Sequence, residues 1–283
     1  GVTRSASDLG RFGMGMKTAS FSLGKQLLVI TKQKDEINNA EWNLEYVENE
    51  DKWEILIHSD EKIDTYIKSK TDKIEFQNWD EGTLISLSML DKLIDENNMQ
   101  KSKVKFYKTV EKVKKHLAMI FHRFIEEDNL QIYVNKNLLE AWNPFIRQNP
   151  ATMELACEEL FDGKTIVSIE PYILPHKTKF EDEEAFKKAG GAKDWLAHQG
   201  FYVYRNRRLI VYGTWFGKFK KEPAYNLARI KLDMSSESDF EWGIDIKKSK
   251  ATLPVSIEES VIQIAYLAIE KSVAVYNSRG VYN

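Results

Sequence analysis

Residues 1–24 read GVTRSASDLGRFGMGMKTASFSLG, with glycines at positions 10, 13 and 15 and a lysine at 17. Glycines spaced in this way let the backbone approach a phosphate closely and turn its N–H groups inward. The following KTASFSLG predicts a short helix whose unpaired N–H groups and positive dipole end face the same anion. Neither a dinucleotide fingerprint nor a Walker A loop fits. Both need a hydrophobic strand just upstream, whereas GVTRSASDL is polar and irregular, and Met16 stands where the second Walker glycine belongs. Taken alone, the loop also reads as a plain flexible turn.

The rest of the chain bounds the answer. Its 283 residues are enough for one large domain or two ordinary ones, and 42% of them are hydrophobic, so a sizeable core can form. A formal net charge of −2 leaves no global basic footprint, so any nucleic-acid contact must be a local patch. Cys157 is the sole cysteine, so no disulfide forms within the chain, and a cytoplasmic setting is expected. No apolar run is long enough for a membrane span.

Hydrophobic periodicity organises the chain. KQLLVITKQ (25–33) predicts a strand. AEWNLEYVE and KWEILIHS alternate apolar and polar residues and predict a hairpin, with Trp42, Leu44 and Tyr46 against Trp53, Ile55 and Ile57. DEGTLISLSML predicts a strand entered through Gly82. A long amphipathic helix follows, with Val110, Val113, Leu117, Ile120, Phe121 and Phe124 at three- and four-residue steps. QIYVNKNLLEAW then reads as a hairpin turning at Asn135–Asn137.

Pro144 and Pro150 punctuate the chain, and a domain boundary is expected at about Pro150, giving domains 1–150 and 151–283. Beyond it come a strand TIVSIEPYIL, a helix EDEEAFKKAGG stopped by Gly190–Gly191, a hairpin GFYVYRNRRLIVYG, and strands NLARIKLDM and EWGIDIKK. A capping box at Ser256 and Glu259 starts a last helix through Ile262, Tyr266, Ile269, Val273 and Tyr276. The class expected is α+β.

Read together, these stretches carry a resemblance. LGRFGMGMKTAS resembles the third nucleotide-binding motif of the GHKL ATPases, the superfamily of MutL, gyrase B, the ninety-kilodalton heat-shock chaperone and the MORC proteins. In that family the loop closes an ATP lid and opens a helix, so no strand precedes it. DEGTLISL resembles the next motif, which implies that Thr83 lies near the nucleotide. QGFYVYRNRRLIV and WGIDIKKSKA resemble the MutL transducer, in which a lysine reaches the ATP site. The pattern FHRF…NPF…PYILPH…GFYVYRNRRLI…ARIKLD…EWGIDIKKSKA is similar to bacterial MutL/MORC-like ATPases of restriction and defence systems.

The resemblance implies the C-terminal part of a GHKL (Bergerat) ATP-binding sandwich, then a transducer-type α+β domain with a C-terminal helix. It implies Gly10, Arg11, Phe12, Gly13, Met14, Gly15, Met16, Lys17 and Thr83 as nucleotide-site residues, with Phe12, Met14 and Met16 packing the lid. It implies Lys248, or its neighbour Lys247, as the lysine acting on the γ-phosphate. Strand alternation, which places Trp242, Ile244, Ile246 and Lys248 on one face, favours Lys248.

ATP and Mg²⁺ are the implied cofactors. The family's catalytic glutamate and metal-holding asparagine match nothing in residues 1–9, so this chain is expected to be part of a longer polypeptide and inactive alone. The expected partners are DNA through local basic patches, a second copy on ATP binding, and a nuclease or helicase of a defence operon. A chaperone-like ATPase or a non-catalytic scaffold are the rival functions.

Seven lysines between Lys101 and His116 make a basic helix face, either solvated or in contact with phosphates. Arg205, Arg207, Arg208, Lys218, Lys220 and Lys221 form a second candidate patch. His122 reads as a packed histidine at the core edge, and Trp142, Trp195, Trp215 and Trp242 as core or interface residues.

Overall fold

The computed structural model describes residues 15–71, 76–244 and 251–278. The fold is mixed α+β, in two compact units that divide between Val110 and Glu111. The first unit runs α1 (Gly15–Phe21), β1 (Gln26–Gln33), β2 (Glu36–Asn43), α2 (Leu44–Glu50), α3 (Asp60–Thr71) and β3 (Glu81–Ser88), then the start of α4 (Met99–Ile120). Its antiparallel sheet has the order β2-β1-β3. Alternation along β1 turns Leu28 and Ile30 to one face, where they pack with Ile63 and Ile67 of α3 and with Phe76.

The hairpin expected over residues 40–59 does not form. Leu44–Glu50 is a helix, because the Asn43 side chain accepts hydrogen bonds from the amides of Glu45 and Tyr46 and caps its N-terminus. Trp53–His58 is extended, joined to β2 by a single bridge, Glu41 to Leu56.

The second unit continues through α5 (His122–Glu127), β4 (Tyr133–Val134), β5 (Asn137–Leu138), β6 (Met153–Glu154), β7 (Glu158–Phe161), β8 (Ile166–Ile173), α6 (Glu183–Ala189), β9 (Gly200–Arg205), β10 (Arg208–Thr214), β11 (Ala228–Met234) and α7 (Val255–Asn277). Its six-stranded sheet has the order β10-β9-β11-β8-β6, with β7 also on β8. Only β9 and β11 pair in parallel among the described strands.

Both faces of this sheet are covered. Val167, Ile169, Phe201, Val203, Ile230 and Leu232 meet Ile257, Val261, Ala265, Ala268 and Ile269 of α7. The alternate residues Tyr172, Tyr202 and Tyr204 meet Phe145, Met119 and Ile120. That second, aromatic core is why residues 111–150 group with the sheet that follows them, whereas the sequence reading divides the chain at Pro150.

Two further expectations change. The buried stripe of α7 is Ile257, Val261, Ile264, Ala265, Ala268, Ile269 and Ser272, and Tyr266 and Tyr276 are exposed. The N-cap is Pro254 rather than Ser256, whose hydroxyl donates instead to the Asp162 carbonyl at 2.7 Å. The β9–β10 turn closes without glycine, because Asn206 and Arg207 both take positive φ (47° and 67°), the backbone of a two-residue hairpin turn.

Candidate functional site

Of the glycine loop, Gly15, Met16 and Lys17 are described, as the first turn of α1; Gly10, Arg11, Phe12, Gly13 and Met14 lie outside the described residues. Gly15 does not adopt positive φ, and among the described residues a Cβ added there meets nothing within 4 Å.

Lys17 is exposed, and its ammonium lies 5.0 Å from the centroid of the Trp42 ring, a cation–π contact. Trp42 in turn packs on Trp53, with ring centroids 4.7 Å apart. The carbonyl of Met16 accepts a hydrogen bond from Ser20 Oγ at 2.8 Å, which ties the first turn of α1 to its last.

Thr83 lies on β3 opposite Thr31 of β1, and both are exposed. Registry puts Leu27, Val29, Thr31, Ala40, Trp42, Thr83, Ile85 and Leu87 on one sheet face, opposite α3. Lys17 over Trp42 and the hydroxyl of Thr83 thus belong to the same face. Four residues of β1 separate their rows, about 13 Å at strand rise. Gly82, just before Thr83, is needed for space, since a Cβ there falls 2.6 Å from the Trp79 ring. This face also carries exposed Ile85, and Trp53, Ile55 and Ile57 extend it beyond the β2 edge.

What holds that extension in place was not legible beforehand. Glu41, buried on β2, accepts hydrogen bonds from Gln26 Nε2 at 2.7 Å and Asn43 Nδ2 at 3.3 Å, and meets His58 Nε2 at 2.7 Å. Burial pushes its carboxyl up, but hydrogen bonds from Gln26, His58 and Asn43 outweigh that and hold it below the usual carboxylate range. Asn39 brackets the His58 backbone, donating to its carbonyl at 2.9 Å and accepting from its amide at 2.8 Å. The network fixes residues 56–58 along β2 and so sets Trp53 beside Trp42. The only sequence signal was the cluster of polar side chains on a strand otherwise read for its hydrophobic alternation.

In the second unit Lys247 and Lys248 lie outside the described residues. The strand expected to carry them is absent from its described part. Asp239–Gly243 is a turn, with Gly243 at φ +56°, and Trp242 is buried with its Nε1 donating to Asp162 Oδ2 at 3.0 Å. Alternation therefore no longer ranks Lys248 above Lys247.

Half of the second basic patch is neutralised. Arg205 is buried and pairs with Asp239 at 2.5 and 2.8 Å, Arg207 pairs with Asp128 and Glu127, and Lys218 pairs with Glu258. His122 is buried as expected, its Nε2 2.7 Å from the Tyr204 hydroxyl.

Residues 2–80 match the family model described as "Histidine kinase-, DNA gyrase B-, and HSP90-like ATPase", which supports the GHKL superfamily and an ATP-binding, ATPase-type function. No curated protein matches the chain. Among the described residues no helix is long and apolar enough to cross a membrane.

Proposed function

We propose that this chain supplies part of the nucleotide site and the transducer of a GHKL ATPase that works as an ATP-gated conformational switch in DNA processing or defence. One observation carries the reading: the family match over residues 2–80 contains the whole of Gly10–Lys17. The residues present fit a phosphate. Among the described residues nothing fills the position of a Gly15 side chain, and Lys17 is exposed.

ATP and Mg²⁺ are the cofactors this reading requires, the metal screening phosphate charge while the loop amides and Lys17 hold the phosphate oxygens. Thr83 contributes a hydroxyl on the same sheet face. The MutL/MORC subtype, and a second copy of the chain as the partner on ATP binding, rest on the sequence resemblance.

The test is a titration of the intact protein with a non-hydrolysable ATP analogue. Gly13→Val is expected to lower affinity at least tenfold, because a side chain in the loop blocks backbone approach to phosphate. Unchanged affinity contradicts the site. The double variant Lys247→Ala/Lys248→Ala is expected to lower turnover roughly ten- to a thousand-fold, the range for losing one transition-state charge, and to leave ADP affinity unchanged.

A further inference from the structure

The helix α4 carries seven lysines and one glutamate, a charge of +6 in a chain whose formal net charge is −2. Five of the lysines, Lys101, Lys105, Lys108, Lys112 and Lys115, recur at i, i+4, i+7, i+11 and i+14. At 3.6 residues per turn they fall in one stripe roughly 80° wide and about 21 Å long. All five are exposed, and so is every residue from Lys103 to Lys108.

Around Lys101, Lys105 and Lys108 acidic groups do little to offset the row, whereas Lys115 shares a cavity with Glu140, Glu183 and Glu184. Glu111 is taken by Lys114 at 2.9 Å, and Asp91 by Lys92 at 3.3 Å. Asp95 caps the turn before the helix by accepting from the Asn97 amide. Lys105 donates to the Lys92 carbonyl at 3.1 Å and keeps its charge. Among the described residues none of the five lysines is in an ion pair.

We propose that this lysine row is a docking surface for the phosphate backbone of duplex nucleic acid. The proposal gives a surface to the DNA role suggested above and rests on that role, not on ATP turnover. A row of positive charges about 5 Å apart along one helix suits a straight polyanion, whose duplex form carries one charge per roughly 1.7 Å of axis. A bilayer surface is the poorer match. Phe106, Val110, Val113 and Leu117 lie on the opposite side of the wheel, Met119 on the row's side is buried, and Val104 beside the row is the one large apolar residue there exposed enough to insert. Lysine contacts to phosphate carry no sequence information, so the binding is non-specific and salt-sensitive.

The test uses the full chain without nucleotide, a labelled 30-base-pair duplex of arbitrary sequence, and salt between 50 and 200 mM. Replacing the five row lysines by glutamine preserves helix propensity. It is expected to weaken binding at least tenfold and to reduce the slope of log K against log salt by roughly 4 to 5, about 0.9 per lost phosphate contact. Lys103→Gln/Lys114→Gln, off the row, is expected to stay within a few-fold, and far-ultraviolet circular dichroism verifies that both variants are folded.

Three outcomes overturn the proposal: no binding of the duplex by the wild-type chain, equal binding by the row variant, or binding to phosphatidylserine vesicles that exceeds binding to DNA. Because nucleotide is absent, such a failure leaves the ATP-analogue titration as an independent result.

Discussion

The two units solve the problem of a sheet's two faces differently. In the second, alternate residues of β8, β9 and β11 feed two cores, one under α7 and one aromatic, so that Tyr202, Val203 and Tyr204 are all fully buried. In the first, one face packs against α3 through five buried side chains, and the other carries Trp53 (69% exposed), Ile57 (69%), Ile85 (50%) and Ile55 (48%) beside Lys17 and Thr83. The second sheet is buried on both sides, whereas the first buries Leu27 and Trp42 on its other face but leaves Ile85 and Thr83 exposed there. Lys17, over Trp42, and Thr83 lie on that face.

This contrast can be broken by mutation. The largest effect is expected from Trp242→Ala. It removes a fully buried indole and leaves the Asp162 carboxylate without that donor, for about 3–5 kcal/mol. Hydrogen exchange should place the loss in β8, β9 and β11; a loss spread equally over β1 to β3 contradicts two separate cores.

Next is Ile63→Ala, about 2–5 kcal/mol, read in the exchange of β1 and α3. If that variant is silent, the five-residue core does not hold the first sheet together.

A further effect depends on pH. His198 is fully buried, and burial together with Arg229, Lys221 and Lys193 pushes its pKa down to about 3. The folded state therefore holds it neutral, while the unfolded chain takes up a proton below about 6.5. Its contribution is complete above that value and is lost as pH falls toward 3, by at most about 1.4 kcal/mol per pH unit. His198→Gln should flatten that acid limb in thermal melts; an unchanged limb shows that other groups set it.

Glu41 in the first unit is also lowered, so its stabilisation persists down to the carboxylate range and is lost only as pH falls below about 4.5. The second unit should thus begin to weaken at a higher pH than the first.

The smallest effect sharpens the picture most. Gly15→Ala should change stability by under about 1 kcal/mol, in the stabilising direction, because helix α1 gains a better former and no described residue lies within 4 Å of the new Cβ.

Much of this arrangement was legible in the sequence. The alternation of LLVIT, TIVSIEPYI, FYVYR and ARIKLD placed β1, β8, β9 and β11, and the glycine loop pointed to the helix that follows it. What failed did so for local reasons. Leu44 and Tyr46 alternate like strand residues, but one capping side chain, Asn43, turned the segment into a helix. EWGI has the pattern of a strand, yet the tie from Trp242 to Asp162 and the positive φ of Gly243 hold it as a turn.

Trp42 as the platform for Lys17, and the Glu41–His58 contact that positions Trp53, depend on pairings between residues far apart in the chain. The histidine lies 17 positions from its partner, and no spacing rule connects them. Ion pairing hid the second basic patch, because Asp239, Asp128 and Glu127 are distant in sequence from the arginines they neutralise.

The central claim is that the loop before α1 holds phosphate. Gly15→Val in the intact protein tests it most directly, with ATP-analogue affinity by calorimetry and melting temperature measured on the same sample. Because no atom of the described residues lies within 4 Å of a Cβ at this position, the account predicts an affinity at least tenfold weaker with a melting temperature within about 3 °C of wild type. Unchanged affinity at unchanged stability contradicts it.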